Sequence, residues 1–136
     1  MFRVFGVLLA VLLAIVPDHA YAMGSARELA RDCRTLLQGK RGSGKEIQIP
    51  FTRRALVCWG YMQAIQDFSV LADPEGRRVL GACPREKTTL LELIEAFVAY
   101  ARSHARDLPE NAALAVTQAL QEAFPCSEPS KPRGRT

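Results

Sequence analysis

Histidine is scarce in this chain, with two in 136 residues, and only His104 lies beyond the N-terminal segment. The four cysteines form no close Cys-x-x-Cys pair, so the ligand spacing of a structural zinc site is missing. No apolar run approaches the roughly 20 residues needed to cross a bilayer. Charge of one sign is not in large excess either, since 18 Lys and Arg stand against 14 Asp and Glu, a formal net charge of +4. These shortages argue against a metal centre, a Cys-His nucleophile, a membrane span and a basic nucleic-acid surface. No cofactor is implied, and nucleic acid is not an expected partner.

What is present begins with an export signal. Arg3 supplies a positive start, Val7 to Val16 is uncharged and apolar, and Ala20-Tyr21-Ala22 has the small-x-small form of a cleavage site. Residues 1–22 therefore read as a signal peptide cleaved after Ala22. That leaves a periplasmic product without a membrane anchor, since the first cysteine, Cys33, is too far downstream to accept a lipid at the cleavage site. In an oxidising compartment, an even set of cysteines (Cys33, Cys58, Cys83 and Cys126) reads as disulfides. Residues 127–136 carry Lys131, Arg133 and Arg135 against Glu128 among Pro and Ser, and read as a disordered basic tail. The interval 23–126 is then one small domain.

The domain reads as all-α. Ser25-Ala-Arg-Glu28 is a capping box, followed by Ala26, Leu29, Ala30, Cys33, Leu36 and Leu37 on one face. From Gly39 to Pro50 the pattern breaks. A second helix is expected from about Phe51 to Leu71. Its Leu56, Val57, Trp59, Tyr61, Met62, Ile65 and Phe68 cover so much of its circumference that it reads as the central, most enclosed element. Thr89-Leu-Leu-Glu92 is a second capping box and opens a third helix with Leu90, Leu93, Ile94, Phe97, Val98 and Ala101 inward. Asp107-Leu-Pro-Glu110 reads as a third capping box, with Pro109 in the first turn of a helix that ends at Phe124-Pro125-Cys126. About four main helices in antiparallel hairpins result. That geometry favours Cys33 with Cys58 and Cys83 with Cys126 among the three possible connectivities.

Other motifs have plainer readings. Gly39-Lys-Arg-Gly-Ser-Gly44-Lys45 carries the glycines and lysine of a phosphate-binding loop. A helix precedes it where a strand is needed, however, and Glu46 replaces the magnesium-binding hydroxyl, so an ordinary loop is expected. His104 ends the third helix, where an imidazole can satisfy terminal carbonyls. Glu92 and Glu95, three residues apart, read as a solvated face rather than an acid–base pair. No residue is assigned a catalytic role.

With helices and cysteines placed, the chain resembles the Rap/Tai-type immunity proteins associated with type VI secretion. The resemblance rests on Cys58-Trp-Gly60-Tyr61 with Ala64 one turn on, Cys83-Pro84, Tyr100 to His104, and Ala112-Ala-Leu114 through Phe124-Pro125-Cys126. It implies an exported, commonly dimeric helical protein that is not an enzyme. Such a protein binds a secreted peptidoglycan amidase and blocks it, protecting the producing cell. Candidate contact residues are Asp73, Glu75, Arg77 and Arg78 in the Ala72–Arg78 turn, and Glu92, Glu95 and Arg102 on the third helix. A periplasmic holding chaperone and an envelope-associated binder are the alternatives. The former is disfavoured by a single downstream histidine and a net basic charge, the latter by Trp59 lying on the helix expected to be buried.

Overall fold

Side-chain caps decide where this chain turns helical. The computed structural model describes residues 24–39 and 49–126, with four helices: α1 (Ala26–Gln38), α2 (Arg53–Ser69), α3 (Leu90–Ser103) and α4 (Ala112–Ala123). The signal segment, the glycine-rich Lys40–Gln48 stretch and the tail lie outside the described residues, and so do the readings made on them. At α1 the Ser25 hydroxyl accepts from the Glu28 amide, and the Glu28 carboxylate accepts from the Ser25 amide (3.3 and 3.0 Å). Thr89 and Glu92 repeat the arrangement at α3 (3.3 and 2.6 Å). Each box satisfies two backbone donors that a helix start leaves unpaired.

The expected cap at Asp107 does not form. Leu108 is buried, and Pro109 keeps it out of helical backbone geometry, so the chain first makes a tight turn in which the Asp107 amide donates to the His104 carbonyl (3.1 Å). Helix α4 starts later, capped by Asn111, whose side chain accepts from the Leu114 amide (3.0 Å). The Glu110 carbonyl instead accepts the first amide of α1, from Ala26 (2.8 Å), and ties the two helix starts together.

Helices α1 and α3 each touch the other three, whereas α2 and α4 do not meet. The expectation that the second helix is the enclosed one is therefore corrected. Leu56, Val57 and Phe68 are 46, 47 and 52% exposed, and only Ala55, Cys58, Met62 and Ser69 of α2 are buried. In α3 the apolar residues gather on one arc, and Leu90, Leu93, Ile94, Phe97 and Val98 are all buried. Residues spread around α2 cannot all reach the single core beside it, and the surplus faces outward. Trp59 is half-buried against the core rather than enclosed.

Disulfides join Cys33 to Cys58 and Cys83 to Cys126. The first links α1 to α2 with both cysteines buried. The second fastens the segment before α3 to the end of α4. Beside it the Cys83 amide donates to the Phe124 carbonyl (2.8 Å), and the Gln121 side-chain amide donates to the Leu80 carbonyl (2.8 Å). Among the described residues, no helix is long and apolar enough to cross a membrane.

Candidate protein-binding site

The most constrained surface feature follows α2. Asp73-Pro-Glu-Gly76 has the residue order a tight turn favours, with Asp first, Pro second and Gly last. The Gly76 amide donates to the Asp73 carbonyl (2.9 Å), and Gly76 takes φ +80°, a left-handed conformation that side chains with a Cβ resist. The Asp73 amide donates to the Arg77 carbonyl and the Val79 amide to the Leu71 carbonyl (2.9 and 3.0 Å), closing a short hairpin. Side chains lock it further. The Asp73 carboxylate accepts from the Arg77 amide (2.8 Å) and from the Arg77 guanidinium (2.7 Å), and Arg78 reaches back to the Val70 carbonyl (2.6 Å).

The Arg77 amide, supported by its guanidinium, holds the Asp73 carboxyl below the usual carboxylate range. Because the folded value is depressed, this contribution is complete above the unfolded carboxylate pKa of about 4 and is lost as pH falls through the folded value. The hairpin is accordingly expected to keep its shape from roughly pH 5 to 8 and to loosen only in stronger acid. An NMR titration of the Arg77 amide checks this, and a transition near neutral pH would contradict it.

Phe68, Val70, Leu71 and Val79 surround the base of this hairpin, each about half or more exposed. The apolar surface continues up α2 through Ala64 and Gly60 to Val57, residues that recur at helical spacing on its outward side. A Cβ built at Gly60 meets nothing within 4 Å, so no packing within the described chain requires glycine there. Grouped apolar surface beside polar residues is the common form of a protein contact.

The remaining candidates are distributed. Arg78 and Leu93 line a small cleft of about 100 Å³ with Gln66, Pro84 and Thr88, which sets the hairpin beside the start of α3. Glu92 is exposed, but its carboxylate is engaged by the Thr89 amide and hydroxyl (2.6 and 3.0 Å), so it serves the helix cap. Glu95 is half-buried and also engaged. Arg102 lies two turns further along α3 and belongs to a groove facing α1. Asp73, Glu75, Arg77 and Arg78 thus act as one unit, with Glu75 3.4 Å from the Arg77 guanidinium, whereas Arg102 is apart from it.

His104 ends α3, with its Nδ1 3.1 Å from the Tyr100 carbonyl, its ring stacked on that of Tyr100, and Nε2 3.9 Å from Glu122. Burial, followed by the charges of Glu122 and Asp107, raises the Tyr100 hydroxyl's pKa, and that hydroxyl donates to Gln118 (2.9 Å). These contacts tie α3 to α4. Among the described residues, no three His, Cys, Asp or Glu side chains gather as a metal site would need.

A small bridged helical body presenting a locked hairpin on an apolar face has the build of a protein-binding module. The model of the Rap1a immunity proteins matches residues 25–126, and the chain belongs to that family. No curated protein and no solved structure matches it. Membership makes the chain an immunity protein against a secreted effector, with that effector as its protein partner.

Proposed function

We propose that this protein acts in the periplasm, after cleavage behind Ala22, as an inhibitor of a peptidoglycan amidase delivered by type VI secretion. It binds the enzyme without performing chemistry of its own. The observation that carries the reading is the locked Asp73–Arg78 hairpin with its apolar surround. An exposed, internally bonded turn can enter an enzyme cleft with little further ordering, and that lower entropic cost favours tight inhibition. Phe68, Val70, Leu71 and Val79 then supply apolar contact around the charged tip.

The protein is further proposed to be a homodimer through the upstream part of the same face, around Val57, Gly60 and Ala64. There the bare Gly60 backbone lets another helix approach closely. Gly60→Ala is expected to stabilise the monomer by up to about 1 kcal/mol, since alanine is the better helix former, while weakening self-association. Thermal melting paired with light scattering checks both signs, and a stabilised variant with unchanged dimerisation would remove this face as the contact.

The inhibitor reading is tested by directing candidate amidase effectors to the periplasm with and without this protein. Expected results are rescue from lysis and a stable complex on size-exclusion chromatography. Lysis unaffected by co-expression of this protein, with no complex formed, would rule against amidase inhibition. Suppressed aggregation of unrelated acid-unfolded clients would favour the chaperone reading instead.

A further inference from the structure

Positive and negative side chains balance over the described residues, yet they are not evenly placed. A groove of about 500 Å³ runs between α1 and the last turns of α3. Its charged lining consists of Arg27, Arg31, Arg34 and Arg102, without an acidic residue, above a floor that includes Ala30, Val98, Ala101 and Leu108. Arg27, Arg34 and Arg102 form no ion pair among the described residues, and Arg31 has only a loose contact to Glu28 at 3.9 Å between exposed side chains. The neighbouring groove of about 510 Å³, between α1 and α2, differs in mixing Glu28 and Asp32 with its arginines, and there Arg54 lies 3.8 Å from Asp32.

Helix stability does not account for the row on α1. Arg27 is the second residue of the helix, where the positive end of the helix dipole disfavours a cation. Arg27, Arg31 and Arg34 follow one another at i+4 and i+3, so each neighbouring pair is a like-charge repulsion. Like charge thus repeats along the helix, and the guanidiniums of Arg27, Arg34 and Arg102, without an ion pair among the described residues, gather over apolar side chains, a surface suited to an acidic ligand.

We infer that this groove docks an acidic, amphipathic polypeptide segment, its carboxylates held by Arg27, Arg31, Arg34 and Arg102 and its apolar side seated on Val98, Ala101 and Leu108. The inference rests on the reading of the chain as an inhibitor of another protein, but not on that protein being an amidase. The three guanidiniums on α1 extend over about 10 Å along the helix axis, which suits a series of carboxylates better than a single phosphate. Planar guanidinium groups also match carboxylates in paired hydrogen bonds. The apolar floor would be left without use by a phosphodiester or a lipid headgroup. The chain's own C-terminal segment has the wrong sign, carrying Lys131, Arg133 and Arg135.

The test uses the mature protein and a fluorescent synthetic peptide that carries glutamates at i, i+4 and i+7 on an alanine and leucine helix, followed by anisotropy. A control peptide has lysine in place of each glutamate. Expected are binding of the acidic peptide alone, weakening with added salt, and a loss of about tenfold or more in both R27E/R34E and R34E/R102E. Since these arginines are exposed, circular dichroism should show both variants folded, and R27K/R34K should retain part of the binding. Equal binding of the two peptides, or binding unmoved by charge reversal, overturns the inference. So does binding to phosphatidylglycerol vesicles, but not to the peptide, that is lost in the same variants, which would assign the groove to a membrane surface. A shift to monomer in both variants without peptide binding would overturn it in favour of a second copy. None of these readouts involves the effector, so failure here is separable from failure of amidase inhibition.

Discussion

Replacing both Cys33 and Cys58 by alanine is expected to lower the melting temperature by about 20 °C or more, and to do more damage than replacing Cys83 and Cys126. Loop entropy alone predicts the opposite order. Sequence separations of 25 and 43 residues correspond to roughly 3.5 and 4 kcal/mol in the chain-entropy model. Burial reverses it. Cys33 and Cys58 are both inaccessible to solvent between α1 and α2, so removing their sulfurs also leaves a gap in the core, adding about 1–2 kcal/mol. Cys126 is exposed and Cys83 half-buried, so their loss leaves no such gap. Against the roughly 5–15 kcal/mol that stabilises an ordinary domain, losing the buried bridge removes a large share. Melting curves of the two double variants decide the order, and a larger loss for C83A/C126A would contradict it. Graded reduction gives a second check, because the accessible Cys83–Cys126 bridge should open first.

What the sequence revealed divides along the range of the interactions involved. The boxes at Ser25–Glu28 and Thr89–Glu92 depend on residues three apart, and both are present in the structure. The apolar stripe of α3 was legible because its inward residues recur at helical spacing. The enclosure of α2 was not, because an apolar circumference shows only that a helix could be surrounded. Whether it is depends on how many neighbours reach it, and α4 does not. The start of α4 differs from the expected one for two reasons, one local, since Pro109 keeps Leu108 out of helical geometry, and one tertiary, since Leu108 is drawn into the core. The Asp73–Arg78 segment could be recognised as a turn from its Pro and Gly, but its locking by Asp73 and Arg77 was not foreseen. The arginine groove left still less trace, because Arg102 is distant in sequence from Arg27, Arg31 and Arg34, and a net charge cannot show segregation.

Disrupting the hairpin is expected to separate binding from stability. In the free protein, D73A/R77A removes a surface ion pair together with the Asp73 bond to the Arg77 amide, and neither residue belongs to the core, so little folding stability is at stake. In the proposed complex the same groups would lie at the tip of the inserted segment, where a hot-spot contact contributes 2 kcal/mol or more, about a 30-fold change in affinity. Calorimetry against the cognate effector should therefore show a large loss of binding while melting hardly moves. Gly76→Ala separates shape from charge. Nothing lies within 4 Å of an added Cβ, but φ +80° strains any residue that has one, so the side-chain chemistry of the turn is kept while its backbone is disturbed. If preorganisation is the source of affinity, Gly76→Ala weakens binding with Asp73 and Arg77 still present. If both variants bind as the parent does, the hairpin is not the inhibitory element.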